Sequence, residues 1–123
     1  MRRYRAAVAL GFAALGTVAL AQPAAADSKS WSCVGVYGGE ACFRSYGDDL
    51  AANDTVADGR RAVVRWHVNY SRSTPDCVDK NGANNGKRIC YHDMREGKTI
   101  AFRVVIMDGS DPIRGSDYVE MEI

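Results

Sequence analysis

Histidine is scarce in this chain of 123 residues. Only His67 and His92 are present, and no G-x-S-x-G elbow accompanies them. The usual base and nucleophile constellations of hydrolases therefore lack their parts. There is no C-x-x-C pair, and a zinc site needs four convergent ligands, so zinc is disfavoured. After residue 26 no apolar run is long enough to span a bilayer. No segment has helical period, no stretch repeats, and no low-complexity tract lies outside the N-terminal leader. A strong basic excess is also missing, which removes the electrostatic footprint expected of a nucleic-acid binder.

What is present begins with that leader. Met1–Ala26 has the layout of a secretory signal peptide. Arg2, Arg3 and Arg5 form a basic front, an apolar run follows over residues 6–21, and Pro23 then precedes Ala24-Ala25-Ala26 before Asp27. The run is shorter than the ~20 residues a membrane anchor needs. Cleavage would leave residues 27–123 as one domain and place it outside the cell, with no membrane association afterwards. The leader takes three of the 16 basic residues and none of the 15 acids, leaving 13 against 15, a net −2.

Cys33, Cys42, Cys77 and Cys90 all lie after the leader. An even count in a small exported chain reads as disulfides. Three pairings are possible. Cys33–Cys42 and Cys77–Cys90 are favoured, because each joins neighbours across a short, turn-rich stretch. The Cys42–Trp66–Cys90 order resembles an immunoglobulin pattern, but the 48-residue spacing is short for that fold. Each favoured bridge adds ~3 kcal/mol by the loop-entropy argument, a large share of the ~5–15 kcal/mol net stability of a domain.

The clearest strand is A-V-V-R-W-H-V-N-Y at 62–70. Ala62, Val64, Trp66, Val68 and Tyr70 alternate with Val63, Arg65, His67 and Asn69. A second long strand, at 99–107, sets Ile100, Phe102, Val104 and Ile106 against Ala101, Arg103, Val105 and Met107. Shorter strands are expected at 31–37 and 41–46 around Gly38-Gly39, at 87–92, and at 116–123 with Val119, Met121 and Ile123 inward. Leu50-Ala51-Ala52 suits a helical turn, and Asp58-Gly59 predicts a hairpin joining Thr55–Ala57 to the strand from Arg61. Ser71–Gly86 reads as a polar loop, and residues 108–112 as the end of the second long strand. About seven short strands result, with a core of Trp66, Phe102, Val64 and Val104. The fold class is all-β, a small antiparallel two-sheet sandwich with two disulfides.

A further cue is a string of local motifs: A-C-F at 41–43, Gly47-Asp48, D-T-x-A-D-G at 54–59, Ala62 and Trp66, Cys77 with its Asn-Gly turns, Cys90, R-E-G at 95–97 and F-R-V at 102–104. Together they resemble a group of small secreted actinobacterial proteins of unknown function. The resemblance spans most of the chain after the leader. It implies export, disulfides and a β-rich fold, and it carries over no activity and no catalytic residue.

Four surfaces offer chemistry. Asp54 and Asp58 resemble half of a calcium loop, with Asp48 and Asp49 nearby, but Val56 and Arg65 stand where further ligands belong. Asx turns are the simpler use, so no metal and no cofactor are expected. His67 sits mid-strand on a polar face, and His92 precedes Asp93; a small hydrolase built on either is the least favoured function. Arg65 and Arg103, with Arg60, Arg61, Lys87 and Arg88, would make a basic patch unless they pair across strands with Glu120 and Glu122. Trp31, Tyr37, Tyr46 and Tyr118 fall at strand edges or ends, where exposed rings stack on sugars or anchor a partner. The chain is therefore expected to be a monomeric, secreted, non-catalytic binding module whose partner is an extracellular protein or a cell-wall polysaccharide. The alternative is an inhibitor of a secreted hydrolase acting through a disulfide-clipped Ser71–Gly86 loop.

Overall fold

The computed structural model describes residues 29–80, 82–83 and 85–123. The leader lies outside them. Among the described residues there are nine strands and no helix, hence no helix long and apolar enough to cross a membrane.

In chain order the strands are β1 (Ser32–Val36), β2 (Gly39–Arg44), β3 (Asp49–Asp54), β4 (Arg61–Val68), β5 (Cys77–Asp79), β6 (Arg88–Tyr91), β7 (Thr99–Asp108), β8 (Asp111–Gly115) and β9 (Val119–Glu122). They form two antiparallel sheets. Sheet 1 runs β1-β2-β3-β6; sheet 2 runs β5-β4-β7-β8, with β9 also on β7. β8 and β9 share one edge of β7, pairing with its last and first residues respectively. Ser116 bridges the gap between them: its N–H donates to Val104 O at 3.0 Å and its Oγ accepts from Val104 N–H at 3.1 Å.

The two alternating patterns decide which faces meet. Ala62, Val64 and Trp66 of β4 and Ile100, Phe102, Val104 and Ile106 of β7 point inward and are buried. They face Ala41 and Phe43 of β2 and Leu50 and Ala52 of β3 across the sandwich. Phe43 and Phe102 meet at 6.2 Å between ring centroids, a separation at which aromatic pairs attract. Trp66 is only 4% exposed, and its Nε1–H donates to Pro75 O at 2.7 Å. A buried indole needs such a partner.

Both favoured disulfides are present, and they do different work. Cys33 and Cys42 are direct cross-strand partners in the β1–β2 hairpin, on the outward face of sheet 1. Cys77 on β5 and Cys90 on β6 point into the core, so that bridge joins one sheet to the other.

Three sequence expectations need correction. Residues 50–52 are not a helical turn; they belong to β3, between β2 and β6. Asp58-Gly59 does not close a hairpin: β3 ends at Asp54 in sheet 1, β4 begins at Arg61 in sheet 2, and the segment between them is the crossover. A turn dipeptide reports only a reversal, and here the reversed chain changes sheets. Ser71–Gly86 is not simply a loop either. Its middle is β5, with Cys77 and Asp79 buried. Asp79 is tolerated there because its carboxylate accepts the Asp54 N–H at 2.8 Å, tying sheet 2 to the end of β3. With β8, formed beyond the Gly109-Ser110 turn, these changes raise the count from about seven strands to nine.

Two local constraints set the packing distance. Gly39 lies where an added Cβ would come within 2.8 Å of the Ala62 Cβ in the opposite sheet, so only glycine fits. Asp48, at φ 58°, holds a left-handed turn between β2 and β3, and its Oδ2 accepts the Met94 N–H at 2.8 Å.

Candidate functional site

The outward faces of the two sheets carry the chemistry. On sheet 1 the registers Arg44↔Asp49 and Asp49↔Tyr91 line up one outward row. Trp31, one residue before β1, extends it, because Ser32 pairs with Phe43 and sets Trp31 beside Arg44. The Arg44 guanidinium lies 4.3 Å from the Trp31 ring centroid, while its Nε and Nη2 both donate to Asp49 Oδ2. Asp49 is buried by this partner, so its charge is compensated where it sits. The next row is Cys33, Cys42, Ala51 and Ile89, an apolar floor of the disulfide and two aliphatic side chains. Tyr46, two residues beyond Arg44, is 52% exposed with Lys29 Nζ 5.1 Å from its ring; Tyr91 is 73% exposed. One end of sheet 1 therefore presents Trp31, Tyr46 and Tyr91 around a neutralised arginine.

The other expected aromatics lie elsewhere. Tyr37 occupies the β1–β2 turn at the opposite end, with Arg114 5.4 Å from its ring and donating to its carbonyl. Tyr118 is on the outer face of sheet 2, 5.1 Å from His67 and 5.4 Å from the Arg103 guanidinium. Tyr91 was expected only as a strand residue. Its place in the same outward row as Trp31, at the opposite edge of the sheet, follows from the β3–β6 pairing, which brings together segments some 40 residues apart, and no local pattern announces that.

On sheet 2 the outward face differs. Val63, Val105 and Met107 form a small buried patch with Val78. Beyond it Arg65 and Arg103 are direct cross-strand partners. Arg65 Nε is 3.5 Å from Asp76 Oδ2. Arg103 Nε is buried without a hydrogen-bond partner. The expected pairing with Glu120 and Glu122 is not what occurs: no ion pair joins either glutamate to these arginines among the described residues. Glu120 lies opposite Ala101, one row away, and Glu122 opposite Thr99.

His92 packs on Trp66 at 4.9 Å. Burial lowers its pKa, and the nearby Arg72 charge adds to this, with Asp49 and Asp48 opposing. His92 is thus held toward the neutral form by its surroundings. The aspartates of the calcium-like stretch make Asx turns: Asp54 Oδ1 accepts Val56 N–H and Asp58 Oδ1 accepts Arg60 N–H, each at 3.1 Å. Burial raises the Asp54 pKa, its hydrogen bond from Val56 opposes this, and Asp58 and Asp79 add to the rise. These residues border a cleft of about 1030 Å³, together with Arg60, Arg61 and Lys80. Among the described residues, one group of potential metal ligands converges, namely Cys33, Glu40 and Cys42. Its sulfurs are joined to each other, so they offer no thiolate.

Compared with known proteins, the chain matches no family model, no curated protein and no solved structure.

Proposed function

We propose that this protein is an exported, non-catalytic binding module that holds a polysaccharide against the Trp31–Tyr46–Tyr91 end of sheet 1. One observation carries the reading: Trp31 and Tyr91 lie in one outward row of sheet 1 and Tyr46 in the turn beyond it, two of the three more than half exposed, with an arginine already neutralised by Asp49 in the same row. Aromatic faces supply large contact area at low entropic cost, and a sugar ring offers a matching apolar face. Arg44, held in place by two hydrogen bonds to the buried Asp49, stands part-exposed against the Trp31 ring. The Cys33–Cys42 bridge in the adjoining row stiffens the platform, and preorganisation lowers the cost of binding.

Export rests on the leader pattern and on two disulfides, which persist in oxidising compartments. The mature protein should therefore begin at Asp27 and carry no free thiol. The test of function is retention of the oxidised mature protein on insoluble cell-wall polysaccharide. Wild type should be retained, and Tyr91→Ala and Trp31→Ala should elute early. Equal retention of both variants, or a stoichiometric complex with a secreted hydrolase in place of polymer binding, would remove this reading in favour of the inhibitor alternative.

A further inference from the structure

We propose a second site, independent of the polysaccharide platform: a surface site for a tetrahedral oxyanion, phosphate or sulfate, at Arg65 and Arg103 on the outer face of sheet 2. Two like charges placed directly opposite on neighbouring strands repel. A sheet face ordinarily relieves this with a cross-strand carboxylate, as Arg44 and Asp49 do on sheet 1. Here the nearest relief is Asp76, 3.5 Å from Arg65 alone and itself exposed.

Arg103 is positioned by its surroundings. Gly115 lies against it so closely that an added Cβ would come within 2.8 Å of Nη2. The Tyr118 ring stands 5.4 Å from the guanidinium carbon, within reach of a cation–π contact. The Nε is buried and has no acceptor, so it is the terminal nitrogens that can meet a ligand at the surface. Two guanidiniums on adjacent strands in one outward row suit a ligand with oxygens in more than one plane. A tetrahedral anion has them, whereas a single carboxylate satisfies one fork.

The buried Arg103 Nε–H is shielded from exchange and should give a resolvable NMR signal. Sodium phosphate and sodium sulfate are titrated into the oxidised protein, with ionic strength held constant by sodium chloride. The expected result is a saturable shift of the Arg65 and Arg103 Nε–H signals, weakened about tenfold in Arg103→Gln. Saturation by one anion and not the other names the source as a phosphorylated or a sulfated ligand. Asp76→Asn, an exposed change that should leave folding intact, is expected to tighten binding by removing the competing carboxylate. Shifts that chloride reproduces, or an Asp76→Asn variant that binds no better than wild type, would overturn the proposal.

Discussion

Arg44 and Arg103 both project from the outward face of a sheet and both lie against an aromatic ring, yet they meet opposite neighbours. Arg44 faces Asp49 and is neutralised; Arg103 faces Arg65 and is not. The same residue type thus helps finish one surface as an aromatic platform around an ion pair and leaves two arginines side by side on the other. On a sheet, the cross-strand partner decides whether an arginine is part of the scaffold or available to a ligand.

The strongest way to break this comparison is to separate the sheets. Cys77→Ala with Cys90→Ala removes the disulfide that joins them and should cost ~3–5 kcal/mol in urea denaturation. Both faces should then lose hydrogen-exchange protection together. Cys33→Ala with Cys42→Ala should cost less, ~2–3 kcal/mol, and loosen β1 and β2 while β4 and β7 stay protected.

Single arginine changes sharpen the contrast, because their effects should differ in sign. Arg44→Ala leaves the Asp49 carboxylate without its partner and should destabilise by ~1–3 kcal/mol. Arg65→Thr relieves the cross-strand repulsion and should be neutral or stabilising by ~0.5 kcal/mol in anion-free buffer. Melting of both variants at low salt distinguishes them.

Acidity should act on the end of the molecule that holds Asp48, Asp49 and His92. The folded state lowers the His92 pKa below 6.5, so below that value the unfolded chain binds more protons. Stability should be full above pH 6.5 and fall as pH drops from there toward the depressed folded value; His92→Gln should flatten that decline. Asp54 has the opposite sign. Its raised pKa means that any stability it lends is present below pH 3.8 and lost as pH rises through the folded value. Asp54→Asn keeps the acceptor for Val56 N–H and should be slightly stabilising at neutral pH, by calorimetry.

The long alternating stretches made much of the fold legible. Trp66, Phe102, Val64 and Val104 are in the core, and both disulfides pair as the spacing suggested. What misled was local chemistry whose meaning is set at a distance. Asp58-Gly59 has hairpin composition, but β3 finds its partners in β2 and β6. Ser71–Gly86 looks too polar for a core element, and the burial of Asp79 in its middle makes sense only once its carboxylate is seen accepting the Asp54 N–H. The candidate platform was half visible. Trp31 and Tyr46 stood out as edge aromatics, Tyr91 joined them only through sheet pairing, and Tyr37 and Tyr118 went to other surfaces.

The proposed function makes the aromatic end of sheet 1 the polysaccharide-contacting face. Chemical-shift mapping with soluble chito- and cello-oligosaccharides tests it most directly. The prediction is that shifts for at least one series cluster at the Trp31 indole N–H and the Tyr46 and Tyr91 rings, and vanish in Tyr91→Ala. Shifts centred on Ser71–Gly86, or none at Trp31 with either series, would contradict it.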